Sequence, residues 1–494
     1  MANRPERWAI IGGGMLGMAL AHGLARRGRR VTLFEAAGHL GGLADAWQLG
    51  DVAWDRHYHV ILASDAHLRG LLAELDLERE IDWVQTKTGF YADGNLYSVS
   101  NAMEFLRFPP LGMLDRLRLA WTIWYGSKIT NWRRLEAIPV LQWLQRCSGR
   151  RTVEKLWLPL LRAKLGENYR KTSAAFIWAT IARLYAARRS GLKKEVFGYV
   201  PGGYARISDR FTAKLVAEGV ELRLGQAVQR VQSAPGGTAF VYTPEGRREP
   251  FDRVVLTVAA PLVLRMCPDL APAEKQLHAA VQYQGIVCAS LLCEQPLAGY
   301  YVTNITDDWV PFTGVIETTA LVDRRTFGGR TLLYLPKYVS PDDPLFEQSD
   351  AAIQEQFLAA LERMYPAFSR RQVQAFRVSR VRALMAVPTI NYSQHLPPVR
   401  TSLPGVFVLN GARIVHGTFN VNETVRLAKE ALDGLLLPAT PASADPHETS
   451  SGKTETLSDK LPDPNAGGTG HHAQHGRVPD TIPAAYCFAA TNSL

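Results

Sequence analysis

The chain has 494 residues, 47% of them apolar and 21% charged, and carries a formal net charge of +10. That length and composition describe a folded chain of two closely joined domains reaching to about residue 437. The basic excess suits anionic lipid or phosphate, or a solvated basic surface; nucleic acid is excluded, because no dense Lys/Arg block and no base-reading motif accompanies it. The five cysteines, Cys147, Cys267, Cys288, Cys293 and Cys487, are odd in number and lack a Cys-x-x-Cys pair. They form neither a disulfide framework nor a zinc site, no metal is expected, and they fit a reducing, cytoplasmic compartment.

Trp8–Ile11 reads as a short buried strand, Met15–Arg26 as a helix and Val31–Phe34 as a second strand, a βαβ opening. The apolar run Trp8–Ala25 resembles a signal peptide loosely, but it holds Gly12, Gly13, Gly14 and Gly17 and ends in Arg26-Arg27-Gly28-Arg29-Arg30 without a small-residue cleavage site. Leu68–Leu77 has helical spacing, and Gly89–Ser98 alternates as a hairpin turning at Asp93-Gly94. From Ala102 to about Arg189 the pattern is helical, broken by prolines. A strand–helix–strand pattern returns over Tyr199–Val231, followed by a buried strand at Arg253–Val258. Strands are expected within 284–335, a helix over Asp350–Met364, a strand at Gly405–Leu409 and a helix over Glu423–Leu436. Residues 438–494 have the composition of a disordered tail, and His471, His472 and His475 within it read as solvated rather than metal-binding.

Gly12-Gly13-Gly14-Met15-Leu16-Gly17 satisfies G-x-G-x-x-G between a strand and a helix, and Glu35 ends the next strand. That context is the dinucleotide fingerprint. Gly12 permits the tight turn, Gly14 lets the backbone approach a pyrophosphate, Gly17 lets the helix pack close, and the helix N-terminus faces the phosphates. Glu35 would accept hydrogen bonds from the ribose hydroxyls, and a carboxylate there disfavours NADP.

Glu35-Ala36-Ala37-Gly38-His39-Leu40-Gly41-Gly42-Leu43 resembles the extended signature of FAD-dependent amine oxidases, protoporphyrinogen oxidases and phytoene desaturases. The resemblance implies FAD as cofactor, with Gly41 and Gly42 beside its phosphates. His39 and Leu43 stand where amine oxidases often have Arg. Trp54–His59 resembles the segment leading to the flavin ring, with His57 in place of the usual Gly and His59 beside the flavin. Tyr199–Tyr204, followed by Gly219–Leu222 and Val228, resembles the adenine-contacting unit, which implies a backbone contact at Val228. Gly405–Asn422 resembles the second FAD segment, with Gly411-Ala412 where Gly-Asp is usual, and with Asn420, Val421 or Asn422 opening a helix toward the flavin.

The implied fold is α/β: a Rossmann-like FAD domain of the glutathione-reductase type with an inserted substrate domain of helices plus a mixed or antiparallel sheet. FAD-binding parts are expected at 1–100, 196–262 and 396–437. A helical substrate- or membrane-facing insertion is expected at 101–195, and a sheet and helix at 263–395. The expected cofactor residues are Gly12, Gly13, Gly14, Leu16, Gly17, Glu35, Ala36, Gly41, Gly42, Leu43, His59, Val228, Gly411, Ala412, Asn420, Val421 and Asn422.

No catalytic base is named by the sequence; His59 and His416 read as structural histidines, and Asn391 and Tyr392 as candidate pocket residues. The helical region mixes Phe105, Phe108, Trp121, Trp124, Trp132, Trp143, Trp157 and Trp178 with Arg107, Arg116, Arg118, Arg133, Arg134 and Arg162. Two readings stay open for it: a peripheral contact with an anionic membrane on its inner face, and a buried helical domain with a basic exterior. The resemblance implies a small-molecule substrate, apolar and drawn from a membrane, oxidised by hydride transfer to flavin. Stretches at Asn304–Glu317, Arg330–Tyr338 and Pro388–His395 also resemble UDP-galactopyranose mutases, in which Arg380 or Arg382 would bind a diphosphate. A flavin-binding protein without catalysis is a third reading.

Overall fold

The apolar run at Trp8–Ile11 becomes β1 (Arg7–Ile11), flanked in parallel by β2 (Arg30–Phe34) and by the Arg253–Leu256 strand. The Val406–Val408 and Glu221–Arg223 strands complete a five-stranded sheet, and every pairing in it is parallel. Parallel strands are covered on both faces, which is why these segments read as unbroken apolar runs. α1 (Met15–Ala25) supplies the first crossover; ten of its eleven residues are buried, as expected of a helix packed on all sides. The Val421–Glu430 helix packs against both α1 and α2 (Ala66–Glu74). The structure, a computed structural model, describes residues 4–100, 103–104, 107–189, 196–415 and 417–436; Phe105, His416 and the 438–494 tail lie outside them.

A second, seven-stranded sheet runs in the order Val373–Ala386, Tyr283–Cys293, Thr331–Val339, Gly314–Glu317, Val302–Ile305, Thr88–Ala92 and Asn95–Ser98. It is antiparallel except where Val302–Ile305 meets Thr88–Ala92. The last two strands are the hairpin read at Asp93-Gly94, whose φ values of 50° and 72° fit a type I′ turn. All eleven residues of Tyr283–Cys293 are buried. Alternate side chains explain this: Ile286, Cys288 and Leu292 face the helical region with Trp157, Leu160 and Leu161, while Val287, Ala289 and Leu291 face Phe357 and Leu361 of the Asp350–Met364 helix.

Sequence patterning does not anticipate every strand, and two such regions are instructive. One is the Arg230–Ser233, Ala239–Tyr242, Arg248–Phe251 meander. The other is the 14-residue edge strand Val373–Ala386, interrupted in pattern by Arg377, Arg380 and Arg382. An edge strand tolerates charge because long side chains reach solvent and neighbouring acceptors. Arg377 Nη1 donates to the Gln48 carbonyl (2.7 Å), Arg380 pairs with Asp350 (2.6 Å), and Arg382 pairs with Glu347.

Lys164 sits at the junction of the helices and the second sheet. Its Nζ donates to Tyr338 Oη at 2.6 Å, Tyr338 shares a hydrogen bond with Tyr58 (2.7 Å), and no carboxylate pairs with Lys164 among the described residues. Burial pushes the Lys164 ammonium down to about 7. The folded chain then binds fewer protons than the unfolded chain between that value and the ordinary lysine range, so stability rises with pH across about 7 to 10.4. Below about 7 the ammonium is charged in both states and its desolvation opposes folding. Lys164→Met should therefore flatten that rise and stabilise the chain at pH 6 by on the order of 2–4 kcal/mol. Urea midpoints measured at pH 6 and pH 9 for both proteins check this; an unchanged pH slope in the variant would contradict it.

Candidate functional site: a dinucleotide cleft at the strand ends

The C-terminal ends of β1, β2 and the Arg253–Leu256 strand open into a cleft of about 550 Å³, the position where open parallel sheets bind ligands. Gly12, with φ 111°, turns the chain out of β1. Thr257 Oγ1 donates to the Ile11 (2.9 Å) and Gly12 (3.2 Å) carbonyls and pins that turn. Gly14 begins α1 with no side-chain cap, so the first-turn N–H groups carry the partial positive charge of the helix end. A Cβ on Gly14 would find only Gly42 Cα, at 3.8 Å. Gly14 is therefore a bare backbone wall facing open space. Gly41 N donates to Gly13 O (2.9 Å), and Gly42, with φ 63°, lies so close that a Cβ there would sit 2.8 Å from Gly14 Cα. Two glycine segments thus close on each other and present backbone alone to the cleft. These features fit a dinucleotide pyrophosphate, which needs close backbone approach and free N–H groups.

Glu35 is held by two backbone donors, Gly13 N to Oε2 (2.6 Å) and Ala37 N to Oε1 (2.8 Å), and its side chain lines the cleft. Each carboxylate oxygen keeps acceptor capacity for ribose hydroxyls. Of the residues named from sequence, Gly12, Gly14, Leu16, Glu35, Gly41, Gly42, Leu43, His59, Gly411, Asn420 and Val421 line the cleft. The other six do not. Gly13 serves Glu35, Gly17 packs beneath Gly12, Ala36 faces solvent, and Val228 is buried against the sheet in the cluster with Phe34 and Leu256. Ala412 is buried, its N–H donating to Asn410 Oδ1 (3.1 Å) and its carbonyl accepting from Tyr392 Oη (2.8 Å). The two asparagines at the last helix divide their work. Asn420 caps its own helix through Glu423 N (3.0 Å), whereas Asn422 Oδ1 accepts from His67 N and Leu68 N at 3.0 and 3.1 Å, capping α2 instead.

His57, where the resembled segment has Gly, is fully buried and bridges two elements. Its Nδ1 donates to the Leu43 carbonyl (3.2 Å) and its Nε2 accepts from Ser379 Oγ (3.0 Å). Burial, with the nearby Arg56 and His59 charges adding, pushes it down to about 3, so it is a neutral tie between the Gly41-Gly42 loop and the second sheet. Asp55 Oδ1 accepts from Tyr204 N (2.7 Å) and joins this segment to the helix beginning at Gly203. His59 differs from a satisfied structural histidine. Its ring packs on Tyr204 (4.6 Å between centroids) and lies 3.8 Å from Asp55 Oδ2, yet Nδ1 has no hydrogen bond, and the ring borders both the cleft and a 20 Å³ inner cavity.

Sequence reading missed Arg56, Val381, Ala383 and Phe419 on the cleft wall. Arg56 Nη2 donates to the Gly42 carbonyl (2.7 Å), placing a cation beside the glycine pair; its position next to His57 was the available signal. Asn391 and Tyr392 do not line the cleft. Arg380 and Arg382 lie outside it, held by Asp350 and Glu347.

The model of the family described as flavin containing amine oxidoreductase matches residues 16–420. A carotenoid phi-ring synthase from Streptomyces griseus is 26% identical over 283 residues, 52% of this chain and 53% of that one. The chain thus spans about half the length of this curated relative. Among solved structures, putrescine oxidase bound to putrescine superposes with a TM-score of 0.66 at 16% identity, covering 87% of this chain and 99% of the other. Reduced UDP-galactopyranose mutase gives a TM-score of 0.67 at 15% identity, covering 87% and 95%. These likenesses show a shared fold. The cleft of paired glycines and Glu35, together with a family match running from α1 to Asn420, has one reading: the chain belongs to the flavin-containing amine oxidoreductase family and takes FAD as its cofactor.

Proposed function

We propose that the chain is an FAD-dependent oxidoreductase that oxidises a C–H or C–N bond of an apolar, membrane-derived substrate, the hydride leaving carbon for the flavin. Bound FAD supplies the hydride acceptor. Gly12, Gly14, Gly41, Gly42 and the N-terminus of α1 hold its pyrophosphate, Glu35 holds the ribose, and Arg56 adds charge beside the glycine pair. Leu43, His59, Gly411, Asn420 and Val421 would border the flavin, the last two at the start of the Val421–Glu430 helix. Gly13, Gly17, Val228, Ala412 and Asn422 support these residues from behind.

The observation that carries the apolar-substrate reading is the cleft wall beyond the glycines. Leu43, Val381, Ala383 and Phe419 line it, and the ionisable side chains of the cleft are Glu35, His39, Asp45, Arg56 and His59. The four apolar side chains give an apolar substrate a surface to pack against. A nucleotide-sugar reading has less support, because the guanidiniums of Arg380 and Arg382 are already bonded to carboxylates. Anaerobic mixing of the yellow holoprotein with polyenes, tetrapyrroles and amines is expected to bleach the visible flavin band with an apolar member of the set. Bleaching by none of them, together with UDP-sugar binding only after dithionite reduction, would replace this reading with the mutase one.

A further inference from the structure

The Met113–Lys128 helix has two unlike faces. Leu119, Thr122, Ile123 and Gly126 are buried against the rest of the helical region. Met113, Leu114, Leu117, Trp121, Trp124 and Tyr125 are exposed, Leu114 by 71% and Trp121 by 55%. At about 100° per residue these six fall within roughly 120° of arc, opposite the buried set. They account for six of the nine large apolar side chains exposed among the described residues, and Met103, just upstream, is a seventh. Trp121 packs on Trp124 (4.9 Å between centroids) and stacks on Tyr125, so the rings form one continuous ridge. A ridge of this kind marks an interaction surface rather than scattered surface residues.

Charge says what covers it. Residues 103–155 contain ten Lys and Arg against four Asp and Glu, and two of the acids, Asp115 and Glu136, are buried. Arg107, Arg118, Lys128, Arg133, Arg134 and Arg146 in this stretch are exposed, two of them, Arg118 and Lys128, on the helix itself. Tryptophans with leucines on one face and a basic border match the headgroup and acyl layers of an anionic membrane. The helix spans about 24 Å at 1.5 Å per residue, enough to lie along an interface, and no helix among the described residues is long and apolar enough to cross a membrane.

We infer that the Met113–Lys128 face is a docking surface for anionic lipid, with the helix lying in the plane of the interface and Trp121 and Trp124 at headgroup depth. This rests in part on the membrane-derived substrate proposed above, but it is read by lipid binding alone. Full-length holoprotein is floated with vesicles of equimolar phosphatidylglycerol and phosphatidylcholine, and with vesicles of phosphatidylcholine only. Binding to the anionic vesicles is expected, weakened at least roughly tenfold by neutral lipid or by high salt, as the Debye length shortens. Trp121→Ala with Trp124→Ala should lower binding at least roughly tenfold while the flavin spectrum and the soluble flavin reaction stay unchanged. Wild-type protein that ignores anionic vesicles overturns the inference, and loss of self-association in the variant then assigns the ridge to a second copy. Vesicle binding unaltered by the double variant overturns it equally. Flotation without turnover of any apolar substrate leaves docking intact and counts against the proposed reaction.

Discussion

Gly14→Val yields a folded, colourless protein whose affinity for FAD is lower by at least roughly 100-fold, about 2.7 kcal/mol. The backbone there has φ −74° and ψ 176°, extended geometry open to valine. The Cβ itself has room, since only Gly42 Cα lies nearby, at 3.8 Å. What the isopropyl group fills is the gap between the two glycine segments, the space assigned here to the pyrophosphate. No core contact is lost, so the urea midpoint of the apoprotein should stay within about 0.5 kcal/mol of wild-type apoprotein. The check is flavin content after purification and titration of the apoprotein with FAD. Retention of wild-type flavin content would move the phosphates away from Gly14.

Gly17→Ala, one turn along the same motif, acts on the fold instead. A Cβ at residue 17 would lie 1.9 Å from the Gly12 carbonyl oxygen and 3.4 Å from Ile10 Cγ2. Backbone cannot yield that distance without lifting α1 from β1, and α1 is buried on every side. Overpacking of this kind is expected to destabilise by about 3 kcal/mol or more. The variant should show a lowered urea midpoint or be recovered insoluble, losing flavin as a consequence of unfolding. The pair separates two roles in one motif: Gly14→Val removes ligand from a stable chain, and Gly17→Ala removes the stability. A Gly17→Ala protein with wild-type stability would mean that α1 packs less closely than the structure shows.

Local chemistry made the nucleotide half of the molecule legible before any fold was known. Gly12, Gly14 and Gly17 each answer a backbone requirement set within one strand–turn–helix, and Glu35 follows at the end of the next strand. Parallel strands buried on two faces leave unbroken apolar runs, so β1, β2 and the Arg253–Leu256 strand announced themselves. Tertiary partners decided the rest. Asn422 reads as a helix cap, but only packing against α2 directs its oxygen to His67 N and Leu68 N. His57 looked like a misfit at a glycine position until Ser379, 322 residues away, took its Nε2. Arg377, Arg380 and Arg382 obscured an edge strand because their acceptors come from distant segments.

The helical region shows the division most clearly. Its tryptophans and arginines are plain in the sequence, yet Trp143 and Trp157 are buried while Trp121 and Trp124 face outward. Composition counts such residues alike, whereas burial depends on which helix face meets a neighbour. The dinucleotide motif is legible in residues 12–35 because it rests on backbone rules acting over a few residues, and FAD is implied there by the resemblance of Glu35–Leu43 to known flavoenzymes. Which side chains border the cleft, which serve as ties behind it and which stand exposed emerges from the fold alone, because each depends on contacts between segments tens to hundreds of residues apart.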